Sequence, residues 1–418
     1  MPNGSRLRPD TPSPLTLSRP AIYMDGERHE ALTQDLIALS IEHAISSPAV
    51  CTARFANVRA APDGRSEYAY FGLNDVNFGR RCAVWLGVSP NTLVRLFDGR
   101  INLLEAGFDE RSAPSLVVQA EDALQEFRLR SRTRVFQDFT DAKIIQSIAA
   151  DHGLTANIEL SAPQVTHARI AQLHQNDLAF LLDRVLAIGA MVWVEQQTLV
   201  VRDTVSTGGP GALTYGENLQ SFTVRADVRN QASAHGVAGW DVTSKQPIAQ
   251  SANESDLLSD SNNGRSGGEV LAEGFGPRLE TMVDAMPMST AEAASLATAA
   301  YRRNAAEFVT GSGVAVQVPT LRAGNAIDVV GVGPLFSGNY QVTAVRHLFD
   351  AEHGFRTEFD VRRPRLARPR MYTKPREAVD ADPNQRGTDT RGAAGGTPVT
   401  GGSPRIPDKR GQRRSKTS

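Results

Sequence analysis

The stretch Tyr215–Ile248, YGENLQSFTVRADVRNQASAHGVAGWDVTSKQPI, constrains the fold more than any other part of the chain. Phe222, Val224, Ala226 and Val228 alternate with Ser221, Thr223, Arg225 and Asp227. A two-residue period turns one row to a core and the other to water, so the segment reads as a half-buried strand. A loop at Asn230–Ser233 and a second strand through Val237, turning at Gly239-Trp240-Asp241, complete an expected hairpin of a β-barrel. Trp240 is then a packing residue at the turn. Composition fits a strand-rich chain: aromatics are 6%, and 35 Gly and 23 Pro favour turns over long helices.

The same reading along the chain predicts a mainly β protein with α+β inserts. Residues 1–15 are expected to be a disordered N-terminus. Residues 16–133 form a first antiparallel barrel of six or seven short strands, with turns at Asp25-Gly26 and Asp98-Gly99. Residues 134–206 form a small α+β module. There Thr140 caps a helix that buries Ile144, Ile145, Ile148 and Ala149 and stops at Gly153. Asn176 caps a second that turns Leu178, Leu181, Leu182, Val185 and Leu186 inward and ends at Gly189. Thr207–Gly211 is a linker. Residues 212–365 form a second barrel, interrupted by a mobile polar loop at 251–268 and a helix at 289–308 opened by the capping box Ser289–Glu292. Residues 366–418 read as a disordered basic tail. They hold twelve Lys/Arg against five Asp/Glu, a net of +7, which leaves −8 on the rest of a chain whose total is −1.

Several chemistries are disfavoured. The mildly acidic folded part argues against nucleic acid as a specific ligand, and the tail has one aromatic, Tyr372, to interleave with its charges. Cys51 and Cys82 sit in apolar strand-like runs and read as small buried hydrophobes of a protein made in a reducing compartment. No segment approaches 18 apolar residues, and Met1–Arg19 lacks the apolar core of a secretory signal. The eight histidines complete no ligand set at close spacing, and each reads as structural or exposed; no metal or cofactor is expected. Asp109 and Glu110 point to opposite faces of an extended chain, while Glu254 and Asp256 read as solvated charge. Gly331-Val332-Gly333-Pro334 lacks the lysine and following helix of a phosphate loop. Trp85, Trp193 and Trp240 are too far apart for a sugar platform. No catalytic constellation is visible, so the chain is not expected to be an enzyme.

A series of segments resembles one known family. These are Leu96–Ile101 with Leu104-Glu105; Glu121–Leu124, Arg128–Arg134 and Val135–Asp141, similar to a "D-x-L…R-x-R…R-T-F-Q-D-M-T-D" passage; and Ile144–Ala149 ending at His152-Gly153-Leu154. Gln175–Leu181 follows, with a shorter gap between Gln and Asp than the family's. Val192–Glu195, Tyr215–Leu219 and Gly239–Asp241 complete the series. Together they resemble the baseplate hub family of contractile injection systems, which includes the phage late-control D proteins and the hub portion of VgrG proteins, over about 20–365.

The resemblance implies two tail-tube-like barrels joined by an α+β module, in a homotrimer of pseudo-sixfold symmetry. Such a ring is a non-enzymatic adaptor between a hexameric inner tube and a trimeric spike, in contact with other baseplate components. It is assembled in the bacterial cytoplasm into a phage tail or injection particle. VgrG proteins continue into a further domain and a β-helical spike, so here the spike is expected to be a separate polypeptide. The alternative is a tail-associated cell-wall or carbohydrate-binding or hydrolytic protein. Ring contacts are expected from outward residues of the second barrel: Arg225, Asp227, Arg356 and Glu358.

Overall fold

A computed structural model describes residues 19–367, apart from 62, 64, 90–91, 206–208, 210, 242–243, 259–262 and 283–284. The expected disordered N-terminus, most of the linker at 207–211 and the basic tail from 368 onward lie outside the described residues.

The chain is mainly β. In order, its strands are β1 (Ala21–Met24), β2 (Glu27–Arg28), β3 (Leu36–Ala44), β4 (Val50–Ala56), β5 (Arg59–Ala60), β6 (Ser66–Glu67), β7 (Arg81–Ser89), β8 (Thr92–Asp109) and β9 (Ser112–Glu121). There follow β10 (Ser131–Thr140), β11 (Thr155–Glu159), β12 (Thr166–Asn176), β13 (Met191–Glu195), β14 (Thr198–Arg202), β15 (Ala212–Thr214), β16 (Leu219–Ala226), β17 (Ala234–Asp241) and β18 (Gln246–Asn253). The last are β19 (Asn263–Ser266), β20 (Leu279–Met282), β21 (Val309–Ala315), β22 (Ala326–Val330), β23 (Gly338–Asp350), β24 (Gly354–Arg363) and β25 (Arg365–Ala367). The helices are α1 (Glu30–Asp35), α2 (Asp141–Asp151), α3 (Asp177–Ala187), α4 (Gly267–Phe275) and α5 (Thr290–Ala306). No helix among the described residues is long and apolar enough to cross a membrane.

Thirteen strands share one sheet, in the path β16-β21-β24-β23-β3-β4-β9-β8-β7-β1-β2, with β22 and β15 branching from β23. The pair β3–β23 joins strands about 300 residues apart, Glu42 opposite Arg346 and Ile41 opposite His347. The core follows the sheet across this seam: Phe355 of β24 belongs to the apolar cluster of Ile41, Phe55, Leu86 and Val118.

Several expectations need correction. β16 and β17 do not form a hairpin. β16 pairs with β21, whereas β17 joins a separate three-stranded sheet, β18-β17-β20, covered by α5. The apolar row of β16, Phe222 and Val224, packs with Phe359 and Tyr340, and that burial selects the partner. Trp240 accordingly is not packed at a turn but is 55% exposed. Asp98-Gly99 is not a turn either: β8 runs unbroken for 18 residues. Gly99 is there because β9 passes so close that a Cβ would sit 2.2 Å from the Glu121 carbonyl oxygen.

Apart from 259–262, which lie outside the described residues, the polar stretch 251–268 is largely regular structure, because its polar residues are caps. Asn253 and Asp256 form one capping box and Ser266 and Glu269 another, which opens α4. α4 begins with the poor helix formers Gly267 and Gly268. A Cβ at Gly267 would lie 2.4 Å from Gln231 Oε1, and one at Gly268 2.8 Å from the Ala232 carbonyl oxygen. Glu254 is not merely solvated: it accepts from Tyr301 and Ser266 and pairs with Arg365, tying α5, β19 and β25 together.

The α+β module contains a duplicated strand–helix unit. β10 leads into α2 and β12 into α3. In both units a non-glycine residue with positive φ, Asp138 or His174, precedes a cap, Thr140 or Asn176. An aspartate then opens the helix, and Gly153 or Gly189 with positive φ closes it. The two aspartates are buried and cross-linked. Asp177 accepts from Arg134 (2.9 Å), His152 (2.9 Å) and Gln172 (2.9 Å). Asp141 accepts from Arg184 (2.6 Å) and meets His167 (2.9 Å). Burial pushes both carboxyls up, but these donors and cations outweigh it and hold both below the usual carboxylate range.

Candidate interaction surface

The outward face of the sheet at the β3–β23 seam gathers charge from three strands. Register places Arg346 opposite both Glu42 and Glu358. The guanidinium lies 2.9 Å from Glu42 and 3.6 Å from Glu358. The next strands continue the rows with Val314 and Ser221, then with Asp360, Ser312 and Thr223. Small side chains such as Ala44, Ala344 and Ser312 leave a groove of about 370 Å³, rimmed by Glu42, Arg346, Glu358 and Asp360. This is a place for polar side chains of a partner rather than for an apolar ligand.

The four residues singled out from sequence all belong to this face by strand parity, and their partners differ. Glu358 joins the ladder. Arg225 donates to Thr310 at 3.2 Å, two rows along β16. Arg356 pairs with Asp350 at 2.8 Å, and that contact with the His353 amide holds the Asp350 carboxyl well below the usual range. Asp227, past the end of β16, is engaged by Arg229, which lowers its carboxyl to about 2. Glu42 and Arg346 escaped the sequence reading. Each alternates with apolar neighbours, but nothing local reveals that they meet.

The opposite face of the same strands is buried. His347 is fully buried and His43 half-buried, their rings 6.1 Å apart. His43 Nε2 donates to the Leu96 carbonyl at 3.0 Å. Arg322 donates to the carbonyls of Arg95 (2.6 Å), Pro319 (2.8 Å) and Leu321 (2.7 Å) and to His347 Nε2 (3.0 Å). His347 Nε2 also lies 3.2 Å from the Leu321 carbonyl, and its Nδ1 lies 3.0 Å from Thr357 Oγ1, so the neutral ring is held at both nitrogens. Burial, reinforced by the Arg322 charge, drives the His43 ring down to about 3 and His347 well below its ordinary value. Burial also lowers Arg322 to about 10.

One surface cluster was invisible in sequence. Tyr68, Phe71 and Phe108 meet at the tip of the β8–β9 hairpin, all partly exposed. Their rings are tilted at 37° or edge-on at 81° and 63°, so they share no flat face for stacking a sugar. Among the described residues no three His, Cys, Asp or Glu side chains are grouped to hold a metal.

Residues 22–350 match the family described as the Alg8 N-terminal domain, well over half of the chain. The chain belongs to that family. The description names a domain and no reaction. This Alg8 N-terminal domain protein has a fold known from phage tails. It is similar to the crystal structure of the 43 kDa tail protein of prophage MuSo2 from Shewanella oneidensis, with a TM-score of 0.60 at 15% identity, over 83% of this chain and 98% of that one. It is similar to a tail protein from Neisseria meningitidis MC58, with a TM-score of 0.55 at 13% identity, over 82% and 96%. It is also similar to the prophage tail protein gp18 from Listeria monocytogenes EGD-e, with a TM-score of 0.51 at 12% identity, over 82% and 94%. At such identities the likeness is one of fold. No curated protein matches the sequence.

Proposed function

We propose that this chain is a structural hub of a phage tail or of a phage-derived injection particle. It acts as a homotrimeric adaptor between the hexameric inner tube and the trimeric spike, without catalysis of its own. The observation that carries the reading is the match of fold over 98% of the length of a prophage tail protein. The β regions 16–133 and 212–365 serve as two tube-like barrels and the module 134–206 as their connector. Three copies offer six related edges to a sixfold partner and three equal sites to a threefold one. The ladder Glu42–Arg346–Glu358, with Arg225 and Arg356 beside it, serves as ring or tube contact. It is polar, exposed and continuous across the seam, as befits a rim that sets register and partner choice.

Light scattering of the full chain, alone and mixed with its tube and spike proteins, tests this. The expected species has three times the 45.1 kDa chain mass. A chain that stays monomeric with both partners present overturns the proposal.

A further inference from the structure

One cavity among the described residues plays no part in the proposed adaptor role. It measures about 630 Å³ and lies where the end of α3, the C-terminal half of α5 and strands β22 to β24 converge. Pockets of roughly this size, apolar with a few placed charges, are the usual form of a small-ligand site. Its wall includes Met191, Leu257, Ala306 and two apolar side chains left open to it, Leu186 (51% exposed) and Val205 (38%). The sequence reading turned Leu186 into the module core; instead it faces this space.

Four arginines line the cavity: Arg302, Arg303, Arg362 and Arg363, the last donating to the Leu335 and Ser337 carbonyls. Two carboxylates answer them. Arg302 lies 3.7 Å from Asp203, and Arg362 lies 2.8 Å from Glu307. Arg303 has no carboxylate partner among the described residues. An apolar chamber that leaves Arg303 without a carboxylate selects its occupant by chemistry. The aliphatic body covers the half-exposed Leu186 and Val205, and a single negative head answers the unmatched guanidinium.

We propose that this cavity binds an amphiphile with one carboxylate or phosphate head on an aliphatic body. The test is calorimetric titration of the full chain with dodecanoate and dodecyl phosphate below their micelle concentrations. Dodecanol, acetate and the capped peptide Ac-Leu-Glu-Leu-Val-NH2 serve as comparators. One or both anionic amphiphiles should bind at least tenfold more tightly than dodecanol or acetate, and which one distinguishes carboxylate from phosphate. Arg303→Gln, a surface change outside any ion pair seen here, should weaken that binding about tenfold. Ala306→Leu, which fills the chamber, should abolish it while the variant melts no lower than the wild type. Equal binding of dodecanol, unchanged binding by both variants, tighter binding of the peptide, or no binding of either anion overturns the proposal.

Discussion

Two faces of the same strands, one residue apart, handle charge in opposite ways. On β3, Glu42 faces water and His43 the interior; on β23, Arg346 faces water and His347 the interior. Outside, Arg346 lies between two carboxylates, all more than a third exposed. Inside, Arg322 meets carbonyl oxygens and a neutral imidazole. A solvated ion pair gains little, because water already satisfies both partners. A buried donor that loses its acceptor, or an acceptor its donor, finds no water to replace it. The outer face is therefore free to serve a partner, while the inner face holds the two β regions together.

The largest effect that would break this contrast is expected at Arg322. Arg322→Met keeps the packing volume but removes the donor to the Arg95, Pro319 and Leu321 carbonyls. Urea unfolding should show a loss of about 3 kcal/mol. A loss below about 1 kcal/mol would mean that the seam is held by the sheet alone.

Acid should act on the inner face next. Folded His43 and His347 take up protons far less readily than the unfolded chain, whose histidines titrate near 6.5. The unfolded state therefore binds more protons below that value. Stability complete above pH 6.5 is lost as pH falls towards 3, at up to about 1.4 kcal/mol per pH unit for each histidine. Asp122 opposes part of this. Burial pushes it up to about 6, so below that pH the folded state takes up a proton first. One histidine equivalent is left, or about 2 to 3 kcal/mol between pH 6.5 and 4.5. The double variant His43→Gln/His347→Gln should reverse the pH dependence of the denaturation midpoint over the lower part of this window, because the Asp122 contribution is then left unopposed. An unchanged slope would acquit both imidazoles.

The module supplies a control of intermediate size. Asp177 is buried and, unlike Arg322, is matched by opposite charges. Asp177→Asn keeps the shape and removes the charge facing Arg134 and Arg132. It should lower stability by about 2 kcal/mol and release the Arg132 and Arg134 side chains, seen as faster exchange of their guanidinium protons. Smallest in stability is Arg346→Ala, at most about 1 kcal/mol. If the outer ladder is the ring contact, the same variant nevertheless lowers the trimer fraction in light scattering. A variant that trimerises normally would sharpen the contrast by moving the contact off this face.

Much of the local structure was legible. Thr140, Asn176 and Ser289 each accept from a backbone amide three residues on, as their spacing to the following apolar run implies. Asp25-Gly26 adopts the positive φ angles of a tight turn. The outward row of β16 was read correctly, and so Arg225 and Glu358 were placed on one surface. The failures share a cause. Asp98-Gly99 looks like a turn because glycine signals both a reversal and a close approach. Gly267-Gly268 and the polar residues before it look like a loop because capping and solvation use the same side chains. In each case the deciding neighbour, the Glu121 carbonyl or Gln231, is remote in sequence.

What the chain determined by itself was therefore periodic and local: the strand character of alternating runs such as β16, where α2, α3 and α5 begin, and which face of β16 is wet. Those depend on contacts within a few residues. Strand partners were decided only by tertiary structure. The row Phe222–Val224 could bury itself on any complementary neighbour, and it is β21, not β17, that closes its core. The same holds for the meeting of Glu42, Arg346 and Glu358 and for the chamber beneath Leu186. Burial and charge pairing act through space between residues up to 300 positions apart, and no local pattern encodes that neighbour.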